Sequence, residues 1–435
     1  MSSQHLSERI AQRTAKVGVI GLGYVGLPTM VAAARADFRV TGVDIDQGRV
    51  DQVNAGYSYI EDVQSETLAD LVHQGKITAT TDGSALGAVD VIIICVPTPV
   101  NKYKEPDLRP LQDAVHTLAK HMNGEQLIIL QSTTFPGTTE EMVLPQLEMG
   151  GRRVGEDFYL AFSPERLDPG NSQFFLGNIP KVVGGVTPRC GEMAVAFLST
   201  FVDRVIPVGS PKAAEMTKLL ENIFRCVNIA LVNELSQLSQ RMGIDIWEVI
   251  HAATTKPFGF MPFYPSVGVG GHCIPVDPFY LSWKAKEYDF YVSFIELAAR
   301  TNDNMPYYAV SRIVDIMGSR GKLLKDTHLL LLGVSFKKNI GDIRNSPALR
   351  VAELLAERGA RIAYSDRHVP QVTIGGTPIK SVEMDEVTLR QHDATVILVD
   401  HSYYDLAKVV RHSKLVIDTR DATRPLGPKP TVVRL

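Results

Sequence analysis

The stretch that decides the fold is Lys16-Val-Gly-Val-Ile20-Gly21-Leu22-Gly23-Tyr24-Val25-Gly26. Residues 16–20 form an apolar run that predicts a buried strand, and residues 24–35 have the pattern of a helix. In a turn of this kind the first glycine permits a tight bend, and the second lets backbone N–H groups approach a pyrophosphate. The third glycine lets the helix pack on the strand. The stretch therefore predicts the phosphate-binding turn of a dinucleotide site.

The next strand supplies an acidic residue at the expected distance. Residues 39–43 form a second apolar run that ends at Asp44, 21 positions after Gly23. A carboxylate about 20 residues beyond the glycines binds the ribose diol of adenosine, which favours NAD over its 2′-phosphorylated form. Arg49 lies on the following helix, close enough to stack on adenine or to weaken that preference. The alternative interpretation is an ordinary glycine turn followed by a solvated aspartate.

Strands and helices alternate through the rest of the first half of the chain. Short apolar runs bounded by turn residues predict further strands at residues 89–95, 126–130, 159–162, 181–184 and 204–208. Near-continuous apolar strands with helices between them are typical of a parallel sheet that is covered on both faces.

A helical middle separates this half from a second α/β segment. Residues 212–253 show helical periodicity with a break near Gly243, and further helix reaches about Met317. Apolar runs that predict strands resume at residues 328–333, 361–365, 394–399 and 414–418. We therefore predict an α/β fold of two Rossmann-like doubly wound domains joined by a long central helix and a helical middle region. The expected domains are residues 1–210, which bind NAD, 211–320, which carry a cysteine loop, and 321–435.

Composition excludes several classes of protein. The chain has 435 residues, a net charge of −3 and four cysteines. Its charges are interspersed rather than gathered into the basic stripe of a nucleic-acid binder. Its apolar runs are far shorter than the roughly 18–20 residues of a membrane span. The N-terminal residues lack a secretory pattern, and the cysteines are too scattered for a disulfide framework. We expect a cytoplasmic enzyme without nucleic-acid or membrane partners.

A second motif, Gly268-Val-Gly-Gly-His272-Cys273-Ile-Pro-Val-Asp277, places a cysteine between a glycine loop and a proline. Asp277 shares a face with Cys273 if a helical turn begins there. We predict that Cys273 is a nucleophile, because its neighbours are glycines and polar groups rather than core residues. His272 is adjacent but is not clearly its base. No further Cys or His stands at a ligand spacing, so no metal is expected.

The other three cysteines, Cys95, Cys190 and Cys226, are interpreted as small buried hydrophobes. A third motif lies on the long predicted helix, where Glu215, Lys218 and Asn222 share one face. A surface Glu–Lys pair is one interpretation of that face. Because the flanking residues are apolar, the alternative is a lysine with a depressed pKa or one that donates to a developing oxyanion.

Three loops at predicted strand ends complete the set of motifs. Gln131-Ser-Thr133-Thr-Phe-Pro-Gly137 and Ser163-Pro-Glu165-Arg166 follow two strands of the first sheet, where ligands collect in open α/β sheets. Ordinary Ser-, Thr- and Pro-rich turns are the alternative for both. The third loop, which contains Phe336, Lys337, Lys338 and Arg344, offers cations to a second nucleotide unless it is only a solvated basic loop.

These five motifs, in this order, resemble the UDP-glucose/GDP-mannose dehydrogenase family over residues 16–424. The segments around Lys218 and Cys273 look most like the bacterial branch that acts on UDP-N-acetylhexosamines, above all UDP-N-acetylglucosamine, in O-antigen and capsule synthesis. The resemblance implies NAD as cofactor, a C-terminal domain that binds the UDP-sugar, and a four-electron oxidation of the sugar C6 hydroxyl to an acid. The long apolar helix suggests a homodimer or higher oligomer.

The resemblance also implies a role for each matching residue. Cys273 would attack the C6 aldehyde, Lys218 and Asn222 would stabilise the oxyanion, and Asp277 would assist the thiol and lysine. Glu165 would support hydrolysis of the thioester, with Thr133 positioning water. The residues implied to bind NAD are Gly21, Leu22, Gly23, Tyr24, Val25, Gly26, Asp44, Arg49, Thr98, Thr133 and Arg344. Those implied to bind the substrate are Glu165, Arg166, Lys218, Asn222, Tyr264, Gly270, Phe336, Lys337 and Arg420.

Some positions depart from the UDP-glucose branch of the family. His272 stands where that branch has Ser, Lys256-Pro257 stand where an arginine of the neighbouring subunit is expected, and Leu167-Asp-Pro-Gly replaces a second glutamate. These differences favour a 2-acetamido sugar. The alternatives are UDP-ManNAc, UDP-GalNAc or UDP-glucose as substrate, a two-electron NAD-dependent hydroxyacid or sugar dehydrogenase, and a non-catalytic nucleotide-binding regulator.

Overall fold

The computed structural model describes residues 5–435 except 61, 102, 169 and 172, and for Asp326 it describes the backbone alone. The chain divides into two compact units. The first contains the described residues up to Glu221 together with Phe279–Phe290. The second contains Asn222–Pro278 and Tyr291–Leu435. Among the described residues, no helix is long and apolar enough to cross a membrane.

The first unit is built on a sheet whose described strands follow the order β3-β2-β1-β4-β5-β6-β7-β8. The strands are β1 (Lys16–Ile20), β2 (Arg39–Val43), β3 (Ile77–Thr80), β4 (Val91–Ile94), β5 (Gln126–Leu130), β6 (Phe158–Phe162), β7 (Lys181–Gly185) and β8 (Val205–Val208). Its helices are α1 (Leu6–Ala11), α2 (Gly26–Arg35), α3 (Gln47–Asn54), α4 (Ser65–His73), α5 (Arg109–His121), α6 (Leu144–Leu147) and α7 (Pro188–Leu198). Strand β3 was not among the strands expected from the sequence.

Strand β4 shows why these strands read as continuous apolar runs. Val91 and Ile93 belong to one hydrophobic cluster, while Ile92 and Ile94 belong to another. Because successive side chains of a strand point to opposite faces, both faces of the sheet are buried. The prediction of a sheet covered on both faces is confirmed.

The expectation of a purely parallel sheet is wrong at one position. Strand β7 pairs antiparallel with β6, in the register Ala161↔Gly185 and Phe162↔Gly184. A parallel neighbour requires a crossover, usually a helix, whereas the described residues between Phe162 and Lys181 form turns and irregular backbone. The chain therefore returns beside β6 in the opposite direction.

The second unit contains a smaller parallel sheet, with the described strands in the order β10-β9-β13-β14-β15. These strands are β9 (His328–Leu332), β10 (Arg361–Ser365), β13 (Ala394–Ile397), β14 (Val416–Asp418) and β15 (Val432–Arg434), and β11 (Gln371–Ile374) pairs with β12 (Thr377–Lys380) as a hairpin. The later helices of the chain are α8 (Pro211–Met242), α9 (Ile246–Thr254), α10 (Asp277–Ala285), α11 (Ser293–Gly318), α12 (Pro347–Glu357), α13 (Glu386–Gln391) and α14 (Leu406–His412). The α/β fold with two Rossmann-like sheets and a helical middle is confirmed.

The long central helix ends where the sequence indicated. Helix α8 stops at Met242, and Gly243 has a φ of +71° that helical backbone does not adopt. Asp245 then begins α9 by accepting hydrogen bonds from the backbone N–H groups of Trp247 and Glu248. The division of the chain into three functional domains at residues 210 and 320 stays a prediction.

Candidate active site

The glycine turn between β1 and α2 has the geometry that its three glycines imply. Gly21 has a φ of +88°, and a Cβ there would lie 2.7 Å from the carbonyl oxygen of Cys95. A Cβ on Gly26 would lie 1.7 Å from the carbonyl oxygen of Gly21. A Cβ on Gly23 would meet nothing within 4 Å, so this position has no internal reason to be glycine. The space beside Gly23, at the start of α2, is free for the close approach of a ligand.

Asp44 is anchored beside this turn by backbone groups. Its Oδ2 accepts a hydrogen bond from the Leu22 N–H at 2.7 Å, and its Oδ1 accepts one from the Asp46 N–H at 2.9 Å. The side chain of Arg49 is partly exposed and lies 3.5 Å from Asp44 Oδ2. The carboxylate is thus fixed at the end of β2, where an adenosine ribose would require it.

Two further residues border this position and were not singled out from the sequence. Ile45 is fully exposed directly after Asp44. The hydroxyl of Tyr59 donates to the Leu22 carbonyl at 2.6 Å, and the Arg49 guanidinium lies 6.0 Å from the Tyr59 ring centre. Burial raises the pKa of Tyr59 to about 12, so it remains a neutral hydrogen-bond donor. In the sequence, the signal available for Ile45 was an apolar residue that directly follows Asp44.

The loops after β4 and β5 are joined at the same edge of the sheet. Thr98 Oγ1 donates to the Thr133 carbonyl at 2.7 Å, and Ser132 Oγ donates to the Val96 carbonyl at 2.8 Å. The Tyr280 hydroxyl donates to the Thr98 carbonyl at 2.7 Å. The structure therefore brings together Thr98 and Thr133, two of the residues implied to contact NAD.

Glu165 lies in a buried cluster that the sequence did not indicate. Its Oε2 contacts Lys181 Nζ at 2.7 Å and the side-chain amide of Gln131, and its Oε1 accepts hydrogen bonds from the Arg166 and Leu167 N–H groups. Burial alone would raise the pKa of Glu165, but Lys181 and the backbone donors outweigh burial and lower it. Glu165 is therefore an ionised, internally paired carboxylate.

The neighbouring Arg166 is engaged within the first unit. Its guanidinium forms a paired contact with Glu221, at 2.6 and 3.2 Å, and donates to the Pro180 carbonyl at 2.6 Å. The role of Arg166 in substrate binding stays a prediction. Its observed contacts connect the loop after β6 to the first half of α8.

The motif on α8 is not a surface ion pair. Glu215 is fully buried, and its carboxylate accepts hydrogen bonds from the Gly137 N–H at 2.6 Å and the Thr139 N–H at 2.9 Å. Burial raises the pKa of Glu215, although these hydrogen bonds offset part of the effect. Lys218, one turn further along α8, is also buried. The surface interpretation is wrong, because Glu215 fastens α8 to the loop that follows Thr133.

Cys273 lies at the start of a helical turn in the second unit. The N–H groups of Val276 and Asp277 donate to its carbonyl at 3.0 and 2.8 Å, which is the i+4 relation expected from the sequence. Among the four cysteines, Cys273 is exposed and the other three are buried. Burial raises the pKa of Cys226 to about 11 and also raises that of Cys95, so both remain thiols. The interpretation of these other cysteines as core residues is confirmed.

Asp277 and Asn222 are paired below this turn. Both are buried, and the Asn222 side-chain amide donates to Asp277 Oδ2. Desolvation and the nearby Arg344 guanidinium lower the pKa of His272, although this residue as a whole is exposed. The lowered pKa favours the neutral form of the His272 imidazole.

The glycine loop before Cys273 packs on the basic loop that follows β9. A Cβ on Gly270 would lie 2.5 Å from the Phe336 Cβ and 2.9 Å from the Asn345 carbonyl oxygen. The Gly271 N–H donates to the Arg344 carbonyl at 3.1 Å, and the Asn345 amide donates to the Gly271 carbonyl at 3.0 Å. Glycine is thus required at position 270 because a Cβ has no room there. The loop that contains Cys273 and the loop that contains Phe336 and Arg344 form one surface.

The second unit also contains Arg344, which the resemblance implies for NAD, and the remaining predicted substrate residues. Arg344 pairs with Asp342 through Nη2–Oδ2 and Nε–Oδ1 contacts at 2.5 and 2.9 Å. Arg420 Nε donates to Asp400 at 3.3 Å, and Tyr264 stacks on Trp247 with 5.9 Å between ring centres. Lys337 is half-buried. Their roles stay predictions, as do those of the other site residues.

Comparisons with known proteins cover nearly the whole chain. Three domain models of the UDP-glucose/GDP-mannose dehydrogenase family match it: the NAD binding domain at residues 15–202, the central domain at 212–304 and the UDP binding domain at 330–425. A UDP-N-acetyl-D-glucosamine 6-dehydrogenase of Pseudomonas aeruginosa is 36% identical over 403 residues, which are 89% of this chain and 91% of that protein. The chain belongs to the UDP-glucose/GDP-mannose dehydrogenase family.

Other relatives have different names and the same architecture. A UDP-N-acetyl-D-mannosamine dehydrogenase of Pyrococcus horikoshii is 34% identical over 95% of this chain and 97% of that protein. The solved structure of a UDP-D-ManNAc dehydrogenase from Pyrococcus horikoshii has a TM-score of 0.87 at 31% identity, covering 96% of this chain and 98% of that one. The expected family is confirmed.

As a member of this family, the chain is an NAD-dependent oxidoreductase that oxidises C6 of a UDP-sugar. The residues of the first unit fit NAD, because the space beside Gly23 and the anchored carboxylate of Asp44 provide for its pyrophosphate and its ribose. Among the described residues, no group of three or more His, Cys, Asp or Glu side chains is arranged to hold a metal ion.

Proposed function

We propose that this dehydrogenase converts a UDP-N-acetylhexosamine, and UDP-N-acetylglucosamine in particular, into the corresponding uronic acid through a covalent adduct on Cys273. The observation that carries this proposal is the setting of Cys273. It is an exposed thiol on a glycine loop that packs on the Phe336–Arg344 region, one helical turn before a buried Asp277–Asn222 pair.

The proposed reaction consumes two NAD and one water for each UDP-sugar. The C6 alcohol is oxidised to an aldehyde, and the Cys273 thiolate then adds to the aldehyde carbon to form a C–S bond. The thiohemiacetal is oxidised to a thioester, and water breaks the C–S bond to release the acid and the free thiol. When bound, NAD would supply the hydride acceptor for both oxidations. Trapping the aldehyde on sulfur prevents its escape between the two oxidations.

The proposed roles of the other residues are those that the resemblance to the family implies. Lys218 and Asn222 would donate hydrogen bonds to the oxyanion that develops on the substrate. Asp277 would orient the Asn222 amide by accepting its hydrogen bond. Glu165 and Thr133 would serve the hydrolytic step. Phe336 and Lys337 would contact the uridine and the diphosphate of the UDP-sugar, Arg344 would contact NAD, and Arg420 would contact the substrate.

The choice of a 2-acetamido sugar is supported by both sequence and relatives. His272 and Lys256-Pro257 depart from the UDP-glucose branch, and the Pseudomonas aeruginosa relative is a UDP-N-acetyl-D-glucosamine 6-dehydrogenase. A uronic acid made in this way would enter an O-antigen or capsule polysaccharide. The test is a panel of UDP-GlcNAc, UDP-ManNAc, UDP-GalNAc and UDP-glucose with NAD. Two NADH per UDP-N-acetylglucosamine are expected, whereas one NADH and a free aldehyde or ketone would contradict the proposal.

Replacement of the nucleophile gives the sharpest test of the covalent step. Cys273→Ser should abolish acid formation while NAD and UDP-sugar still bind, because the hydroxyl is a far poorer nucleophile at neutral pH than a thiol. Mass spectrometry of wild-type enzyme quenched during turnover should find a sugar-sized adduct on the peptide that contains Cys273. Cys226→Ser is the matched control, since this buried thiol should affect stability alone. Full acid formation by Cys273→Ser would refute the covalent mechanism.

We also propose a homodimer that works in the cytoplasm, where the exposed Cys273 thiol stays reduced. Helix α8 exposes Leu231, Leu235, Leu238 and Met242, which are 42–63% exposed and recur at helical spacing on one stripe. Such a stripe is typical of a helix that packs on another copy. Light scattering should report a dimer, and Leu235→Glu should shift it toward the monomer.

We assign NAD binding to residues 1–210, the cysteine loop to 211–320 and UDP-sugar binding to 321–435.

A further inference from the structure

A buried lysine faces the predicted hydrolytic glutamate from the next strand. Strand β7 runs antiparallel to β6 with Phe162 opposite Gly184. Extending that register by three residues places Glu165 opposite Lys181, the first residue of β7. Lys181 Nζ lies 2.7 Å from Glu165 Oε2 and 3.5 Å from the Pro164 carbonyl oxygen, and both side chains are buried. The direction of β7 thus delivers a cation to the edge of the sheet where ligands collect.

The carboxylate of Glu165 is fully engaged by internal donors. Oε1 accepts hydrogen bonds from the Arg166 and Leu167 N–H groups at 2.8 and 2.9 Å. Oε2 is shared by Lys181 and the amide of Gln131. These four donors fix the orientation of the Glu165 carboxylate.

The Gln131 amide is itself oriented by a buried thiol. Cys95 Sγ donates to Gln131 Oε1 at 3.6 Å, which turns the amide nitrogen toward Glu165. Because burial raises the pKa of Cys95, the thiol keeps the proton that this contact needs. The charged and titratable groups around Glu165 are thus Lys181 on β7, Cys95 after β4, and Arg166, whose charge is balanced by Glu221 on α8.

We propose that Lys181 is a positioning residue for the hydrolytic half of the reaction, holding Glu165 as a fixed anion beside the loops that carry Thr133 and Arg166. This inference rests on the proposed function. An uncompensated carboxylate at this buried site would take up a proton and release the Arg166 and Leu167 N–H groups. Lys181 therefore keeps the loop after β6 in place throughout turnover.

The test compares kcat as a function of pH for wild type, Lys181→Met and Lys181→Arg, with UDP-N-acetylglucosamine and NAD. In Lys181→Met the acid limb should move to higher pH by about one unit or more, because Glu165 then protonates more easily. Because Glu165 would also be less well positioned, kcat at pH 7 should fall by about tenfold or more, while the KM for NAD changes by less than about threefold. In Lys181→Arg the acid limb of the kcat profile should stay at its wild-type pH, since arginine keeps the positive charge.

A second buried lysine of the same unit provides the matched control. Lys284 Nζ contacts Glu141 and Glu287 at 2.5 and 2.6 Å, away from the cluster around Glu165. Lys284→Met should lower thermal stability without moving the acid limb. Equal pH profiles for Lys181→Met and wild type would overturn the proposal, as would a shift of equal size in Lys284→Met.

The remaining outcomes are also decisive. If Lys181→Met does not fold, the double variant Glu165→Gln/Lys181→Met should fold, because it no longer buries an unpaired charge; failure of the double variant would overturn the proposal. If wild type oxidises no UDP-sugar, the proposed function fails and the pair is tested by stability alone. Since the pKa of Glu165 is lowered by folding, the stability that Lys181 adds should be complete above the ordinary pKa of glutamate and lost as pH falls. If the stabilities of wild type and Lys181→Met depend on pH in the same way, the Lys181–Glu165 pairing is overturned.

Discussion

In the first unit the carboxylate of Asp44 accepts the backbone N–H of Leu22, and in the second unit the carboxylate of Asp366 accepts that of Val334. Each aspartate directly follows a strand that neighbours the glycine turn, and each Oδ1 accepts the N–H two residues further along the chain. The turn glycines, Gly21 and Gly333, have φ values of +88° and +80°. The two sheets therefore begin with the same strand–glycine–aspartate arrangement.

The surroundings of the two carboxylates differ. Beside Asp44 stand a fully exposed Ile45 and a partly exposed Arg49. Asp366 is covered by His401, whose Nε2 lies 3.1 Å from Oδ2, and neither side chain is exposed. The Asn339 N–H donates to His401 Nδ1, so the proton of the neutral ring is on Nε2 and points to Asp366. One carboxylate is available to a ribose and the other belongs to the core.

A dinucleotide-type turn does not by itself make a dinucleotide site. In the second turn, Ser335 replaces the glycine at the position of Gly23, and its hydroxyl donates to the Lys337 carbonyl. The space that a pyrophosphate would use in the first unit is crossed here by an internal hydrogen bond. A nucleotide at the second sheet must rely on the loop side chains, as we expect for Phe336 and Lys337.

Among variants of the two aspartates and their neighbours, the largest effect is expected from Asp366→Asn, on the stability of the protein. An NH₂ group in place of Oδ2 would lose the hydrogen bonds from Val334 and His401 to a charged acceptor. Each such bond is worth about 1.5–3 kcal/mol, so the free energy of unfolding should fall by about 3–5 kcal/mol. The KM for NAD should change by less than about twofold, because Asp366 is a core residue. Urea denaturation and steady-state kinetics provide the two measurements. A large rise in the KM for NAD with unchanged stability would mean that Asp366, rather than Asp44, serves the cofactor.

Asp44→Ala should show the opposite profile. Loss of hydrogen bonds from a ribose to a charged acceptor costs about 1.5–3 kcal/mol, so the KM for NAD should rise by about 10- to 100-fold. The preference for NAD over NADP that we expect of the wild type should shrink, since the 2′-phosphate no longer meets a carboxylate. Asp46→Ala is the control, because Asp46 caps α3 without facing the diol. Equal efficiency of wild type with NAD and NADP would contradict the role of Asp44 in binding the adenosine ribose.

The smallest effect is expected from Arg49→Ala. The Arg49 side chain is about half exposed and lies 3.5 Å from Asp44, so its contribution to binding should be below about tenfold. Removing it should weaken NADP more than NAD, because the guanidinium is the nearest cation described here for a 2′-phosphate. Kinetics with both cofactors measure this ratio. An increase in NADP efficiency would show that Arg49 only balances Asp44.

Much of the arrangement followed from the sequence because it depends on local geometry. The relation of Gly21 to Asp44 lies within one strand–helix–strand unit, and spacing together with apolar runs was enough to predict it. The helical turn from Cys273 to Asp277 is set by four consecutive peptide units. The break in the long helix at Gly243 follows from the φ of a single residue.

Other features could be decided only by the tertiary structure, because they join residues that the sequence does not relate. Lys181 meets Glu165 because β7 is antiparallel, and strand direction depends on how the intervening segment crosses the sheet. Glu215 was expected beside Lys218 on a helix face, but its carboxylate caps backbone N–H groups of another loop. His401 reaches Asp366 from a different strand end. Apolar periodicity specifies which residues are buried, whereas the pairing of buried charges depends on which chain segments pack together, and that is settled only when the sheets are formed.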